Sequence, residues 1–190
     1  DGQFNFDDLK FKNFFDLDLD VRHFHFENIN LTIKDFLLKD SKATGDIVEG
    51  YLNEKRGFKV KSFTSKIMIR EDSMAFYGLD LVTPESVIGD TIIFAYRNIA
   101  NFGDFNNKVK MDFRSKNSII AIKEIMVFAP QLKKNDFFRQ NKNDKLLLKG
   151  RIYDRVNRLK GDDLFLSFGK NIKVKGRFRS RNLTNPDETL

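Results

Sequence analysis

"FFDLDLDVRHFHFENINLTI", residues 14–33, decides the fold. Leu17, Leu19 and Val21 fall on one parity, and Asp16, Asp18, Asp20 and Arg22 on the other. The apolar parity moves by one at Phe24 and Phe26, then moves back at Ile29, Leu31 and Ile33. A period of two is the mark of a strand with one dry face and one wet face. Each change of parity predicts a bulge or a tight turn, because an uncompensated slip of one residue would send every side chain to the wrong face.

The same stretch carries two metal-like patterns. Asp16, Asp18 and Asp20 suggest calcium, but a calcium loop needs a glycine at its sharp turn and a distal bidentate Glu. Here Leu17 and Leu19 separate the acids, and no glycine follows within the stretch. Alternate acids on one strand also stand roughly 6.5–7 Å apart, too far to chelate one ion unaided. His23 and His25 share a face as zinc ligands can, yet they are the only two histidines. Both patterns read as the wet face of a strand, and no metal or other cofactor is expected.

The alternation recurs along the chain. Residues 58–69 place Phe58 and Val60, then Phe63, Ile67 and Ile69, on the dry side. Residues 73–83 place Met74 and Phe76, then Leu79 and Leu81; residues 108–115 place Val109, Met111 and Phe113. "DLFLSFG" and "NIKVKGRF" add Leu164, Leu166 or Phe168, then Ile172 and Val174. Turn chemistry punctuates the runs at 54–57, 83–86, 101–107, 141–144, 159–163 and 168–171. Two short stretches read as helix, residues 35–40 and residues 122–132, the latter ended by Pro130. The expectation is one all-β unit over residues 1–190, a long antiparallel meander with one or two short helices.

The bulk numbers exclude several function classes. The 190 residues contain no cysteine, so thiolate sites, disulfides and cysteine nucleophiles are absent. No apolar run approaches the roughly 18 residues of a membrane-spanning helix. The opening residues do not read as a signal peptide, and they begin in mid-strand without Met, so the chain is expected to be a piece of something longer. A net charge of +7 comes from 34 bases interspersed with 27 acids, dense only at residues 173–181. No nucleic-acid partner is therefore expected. No nucleophile elbow accompanies a histidine, and nothing elevates any one pair of carboxylates. The chain does not read as an enzyme. Its apolar face either closes as the core of a sandwich or stays open and binds something greasy.

A resemblance bears on that choice. The order of "NINLTIKDFLL", then "LNEKRGFKVKSF" with its Gly57–Phe58 step, then "MAFYGLDLVTPES", resembles the TamB and AsmA-like family in its large Bacteroidetes-type versions. "FNNKVKMDFRSKNSIIAIKEIMVFAPQL" is similar to the family's strand and short helix, and the tail from Leu146 to its repeated hairpins. The resemblance implies a sheet curled into an open, apolar-lined trough. It implies a periplasmic location, with an inner-membrane anchor in a segment outside this chain, and no catalysis. The partners it implies are phospholipid acyl chains and an outer-membrane barrel such as TamA. The dry side then lines the groove: Leu17, Leu19, Val21, Phe24, Phe26, Ile29, Leu31, Ile33, Phe63, Ile67, Ile69, Phe76, Val109, Met111, Phe113, Leu164 and Leu166. Lys59, Lys61, Lys108 and Lys110 would stand at its rim. The alternatives are a module that pairs through exposed sheet edges and a closed β-sandwich binding domain.

Overall fold

A computed structural model describes residues 26–54, 58–128, 130–169 and 172–180. The strands are β1 (Phe26–Lys39), β2 (Lys42–Glu54), β3 (Lys59–Val60), β4 (Ser62–Ile69), β5 (Ser73–Val82), β6 (Val87–Ala95), β7 (Lys110–Ala121), β8 (Lys145–Asp154), β9 (Lys160–Phe168) and β10 (Ile172–Arg179). They form one antiparallel sheet of ten strands in the order β1-β2-β4-β5-β6-β7-β8-β9-β10, with β3 beside β2. The chain is thus an all-β meander, as its period-two runs predict. The sheet is single, open and uncurled. Its apolar side is a broad face, not the curled trough that the resemblance implied, and no second sheet packs on it to make a sandwich among the described residues.

The pairing registers sort the side chains into two faces. One row runs Ile67, Phe76, Ile92, Phe113, Ile152, Gly161 and Phe178 across β4 to β10. One step along each strand, the opposite face carries Asp46, Lys66, Tyr77, Thr91, Arg114, Arg151 and Asp162. The parity changes seen in the sequence coincide with irregularities in the ladder. A register shift falls between Phe26 and Asn28, and a break between β3 and β4 falls at Lys61. A third falls at Gly78, whose φ of 56° takes the left-handed conformation that suits glycine.

Bulges continue from Gly78 across the sheet. Asp90 (φ 88°), Gly150 (φ 112°), Asp163 (φ 49°) and Gly176 (φ 156°) lie at or beside register shifts of β6 to β10. On β7 the shift lies between Ser115 and Ser118. These two serines are buried and satisfy the backbone that the bulge unpairs. Ser115 Oγ accepts from Ser118 N at 2.9 Å and donates to the Leu148 carbonyl at 3.1 Å, and Ser118 Oγ accepts from Gly89 N at 3.0 Å. Bulges bend and twist the strand that holds them.

Three sequence expectations are corrected. Residues 35–40 are strand, not helix: Leu37–Lys39 pair with Lys42–Thr44, and Asp35 and Asp40, both at φ 51°, provide a bulge and a hairpin turn. A six-residue helix with no packing partner would not offset its own nucleation cost. Residues 159–163 are not a turn, because the chain reverses earlier, in a 3-10 turn at Val156–Arg158. Gly161 and Asp163 instead lie inside β9. Residues 101–107 are helical, in a 3-10 segment Ile99–Asp104 followed by α1 (Phe105–Lys108).

The expected helix at 122–132 is present as α2 (Ile122–Phe128) and a 3-10 turn Pro130–Lys134. α3 (Asp136–Gln140) follows, capped by the Asn135 side chain accepting from Phe137 N. The turns at 83–86 and 141–144 are as expected, closed by Thr83 N to Ser86 O at 3.0 Å and Asp144 N to Asn141 O at 2.9 Å. Gly169, at φ 56°, stands in the turn between β9 and β10. Residues 55–57 of the expected turn at 54–57 lie outside the described residues.

Candidate functional site

The apolar face is the feature that any function must use. Two helical segments cover it at opposite ends of β7. At one end Phe94 meets Phe102 and Phe105 edge-on, with ring centroids 5.9 and 5.7 Å away, and Tyr96 meets Phe102 at 5.1 Å. Burial raises the pKa of the Tyr96 hydroxyl, and Asp72 nearby adds to the effect. At the other end Ile122 and Met126 of α2 pack on Phe168, with Leu132, Phe138 and Leu146 around them. Phe137 of α3 stands 4.9 Å from the Phe168 ring.

Between these ends runs the middle of the face. Phe113, Leu148 and Leu164 form a buried cluster against Ile92, Met111, Ile152, Leu166 and Phe178. Toward β1 the same face opens to solvent. A Cβ built on Gly50 would meet Leu31 Cδ2 at 2.7 Å and Phe63 Cδ1 at 3.2 Å, so both side chains lie over this glycine on the apolar side. Leu31 remains 47% exposed, with Ile29 and Ile33 close behind it, and at the other edge Val174 is 52% exposed. The apolar face is thus buried in its middle and exposed at both edges.

The predicted lining residues divide into groups. Leu17, Leu19, Val21 and Phe24 lie outside the described residues, as do Asp16, Asp18, Asp20, His23 and His25. Phe26 is the first residue of β1. Ile29, Leu31, Ile33, Phe63, Ile67, Ile69, Phe76, Met111, Phe113, Leu164 and Leu166 all fall on the apolar face by register. Val109 is fully buried beside α1 and has no surface to offer. Nothing in the alternation distinguishes it, since Val109 alternates with Met111 and Phe113 as a lining residue would. Lys59, Lys61, Lys108 and Lys110 are exposed, and Lys108 pairs with Asp104 at 3.5 Å.

The opposite face carries charge pairs, set among apolar residues such as Met68, Ala75 and Ile93. Arg151 holds Asp112 through both carboxylate oxygens, at 2.8 and 2.9 Å, and Arg114 reaches the same group at 2.9 Å. Burial works against the Asp112 anion, but the hydrogen bonds from Arg151 and Arg114 outweigh it and hold its pKa below the usual value. The Arg151 guanidinium also lies 4.4 Å over the Tyr153 ring. A shallow concavity of about 610 Å³ lies between the β1–β2 and β4–β5 turns. It is lined mostly by charged side chains, Lys39, Asp40, Lys42, Arg70, Glu71 and Asp72 among them, and is separate from the apolar face.

A third cluster joins α2 to the sheet. Thr83 and Ser86, both buried in the β5–β6 turn, donate to the Glu124 carboxylate, Thr83 from 2.7 Å. Ser86 Oγ accepts from Ala121 N at 2.9 Å, and Thr83 Oγ1 accepts from Ser86 N at 2.8 Å. Every polar atom here already has a partner within the protein, so the cluster reads as a latch and not as a nucleophile with its base. Among the described residues no group of His, Asp and Glu is placed to hold a metal ion, and no helix is long and apolar enough to cross a membrane. No family model, no curated protein and no solved structure matches this chain.

Proposed function

We propose that this chain is a segment of a periplasmic, bridge-like protein that carries phospholipid by its acyl chains along the apolar face of the sheet. The observation that carries the reading is the row Ile67, Phe76, Ile92, Phe113 and Ile152, which crosses five strands with no polar interruption. An acyl chain gains roughly 0.8 kcal/mol for each methylene buried against such a floor. The buried serines on this side, Ser65, Ser115 and Ser118, already hydrogen-bond within the fold, so among the described residues the face offers a lipid no cluster of convergent polar groups, which suits one that has to slide and not lodge. The polar opposite face, laced with Arg and Asp pairs, keeps so wide a sheet in solution. The resemblance to TamB and AsmA-like proteins supports the periplasmic setting and an anchor outside this chain.

The test is lipid extraction and mass spectrometry of the purified chain, produced in a bacterium with two membranes. Leu31→Asp places a charge on the apolar face at an exposed position. Tyr77→Asp does the same at a comparably exposed position on the polar face. The reading requires phospholipid in the parent and in Tyr77→Asp, and its loss in Leu31→Asp. A folded, lipid-free parent overturns it.

The outer edges of β1 and β10, which carry no further strand among the described residues, favour a second use of the same segment, the addition of partner strands during outer-membrane assembly.

A further inference from the structure

β10 pairs with β9 on one side, and no strand stands on its other side among the described residues. Its side chains separate by chemistry. Lys173, Lys175, Arg177 and Arg179 lie on the polar face and are exposed, while Ile172, Val174 and Phe178 lie on the apolar face with Gly176 between them. None of these four cations takes part in an ion pair among the described residues. An edge strand presents unpaired N–H and C=O groups to any strand that fits its side chains. A strand that fits here sets acids opposite Lys173, Lys175 and Arg177 and apolar residues opposite Ile172, Val174 and Phe178.

The chain contains such a segment. "FDLDLDV", residues 15–21, alternates acid and apolar residues and lies outside the described residues. Set antiparallel with Asp18 opposite Lys175, it places Asp16 opposite Arg177 and Asp20 opposite Lys173. The same register brings Leu19 opposite Val174, Val21 opposite Ile172 and Phe15 opposite Phe178. Leu17 then falls opposite Gly176, where there is no side chain to obstruct it. One register satisfies every position from Ile172 to Phe178, and it leaves Arg179 opposite Phe14.

We infer that residues 15–21 of a second copy of this chain add to the free edge of β10, so that copies join head to tail. The segment of the same copy does not reach. Residue 21 is tied to β1 at residue 26 by a link that spans at most about 18 Å. Nine strands in the sheet path leave eight spacings between β1 and β10, roughly 38 Å. β1 is the poorer site for the acids, because its polar row of Asn28, Asn30, Thr32 and Lys34 holds one cation. Joined through β10, the meander stays antiparallel and the apolar face continues from copy to copy. A heterologous contact of this kind gives rings or open chains of copies instead of an isologous dimer.

The inference does not depend on lipid, and its test uses none. Sedimentation velocity of the full chain at low salt reads self-association directly. The parent is expected to associate with rising concentration, and added salt to weaken it because exposed charges are screened. Asp16→Lys/Asp18→Lys/Asp20→Lys and Lys173→Glu/Lys175→Glu/Arg177→Glu each oppose like charges, and each is expected to weaken association about tenfold or more. Mixing the two variants restores opposite charges at every junction and is expected to restore association, which a folding defect would not do. The chain lacks cysteine, so Leu19→Cys mixed with Val174→Cys should cross-link under mild oxidation, while Leu19→Cys mixed with Lys59→Cys should not. A parent that is monomeric at every concentration overturns the inference. So does association that ignores both charge reversals.

Discussion

Gly150 stands against the backbone of Asp163 so closely that a Cβ on it would come 2.5 Å from the Asp163 carbonyl oxygen. The two residues belong to neighbouring strands and both have positive φ, 112° and 49°. They are the centre of the line of bulges that crosses β5 to β10.

Gly150→Ala therefore meets two obstacles, a backbone conformation that L residues avoid and a clash with main chain that cannot swing away. It is expected to cost about 3 kcal/mol or more. Gly78→Ala isolates the first obstacle, because Gly78 has φ 56° and nothing within 4 Å of the position of its Cβ. Its cost is expected near 1 kcal/mol. Urea midpoints of the two variants check the difference; equal values would mean that the contact with Asp163 adds nothing.

The latch under α2 makes a second prediction. Thr83 and Ser86 are buried and donate hydrogen bonds to the Glu124 carboxylate. Glu124→Ala leaves both hydroxyls without that acceptor and is expected to cost about 2–3 kcal/mol. Glu124→Gln keeps one carbonyl oxygen and should lose roughly half as much. Hydrogen exchange locates the effect: amides of α2 should exchange faster in Glu124→Ala while those of β8 and β9 change little. Uniform acceleration across the sheet would show that Glu124 supports the whole fold and not the helix alone.

Much of the fold was legible because the side-chain period of a strand is two. The parity changes at Phe26–Asn28 and at Gly78 are each a real shift of register. The bulges at Asp90 and Asp163 were not legible, because an Asp in a left-handed conformation looks in sequence like any polar residue on a wet face. Gly161–Asp163 read as a turn for the same reason: turn residues also serve bulges. The helical pieces at 99–108 and 136–140 are too short to show a period, and they form because their Phe side chains cover the ends of the apolar face. That covering is also why Val109 is core while Leu31, with the same alternation, is open. The pattern identifies a dry side, but what stands over it is a tertiary matter.

Asp112 gives the pH prediction. Its folded pKa is depressed below the ordinary 3.8 by the hydrogen bonds of Arg151 and Arg114, which outweigh the opposing effect of burial. A depressed carboxyl stabilises the fold fully above its unfolded pKa, and loses that contribution as pH falls through the unfolded value towards the folded one. Asp112→Asn should therefore cost about 1 kcal/mol at neutral pH, a modest figure because the pairs are partly exposed. The gap between parent and variant should shrink as pH drops below about 4. A gap that stays constant down to pH 3 would assign the effect to shape and not to charge.

The last prediction uses two adjacent residues and the absence of tryptophan from the chain. Phe76 lies on the apolar row between Ile67 and Ile92, while Tyr77 lies on the polar row between Lys66 and Thr91. Phe76→Trp and Tyr77→Trp thus set a single fluorophore on either side of one sheet, one residue apart. With phospholipid carrying bromine in its acyl chains, emission from Phe76→Trp should be quenched, and emission from Tyr77→Trp should be unchanged. Phe76 packs edge-on against Phe63 and Phe94 at 5.9 and 6.4 Å, so the larger ring is expected to cost about 1–2 kcal/mol, which leaves the comparison possible. Quenching of both would place lipid on both faces, and quenching of neither would leave the apolar face to a protein partner. Only quenching confined to position 76 fits a face that acyl chains occupy.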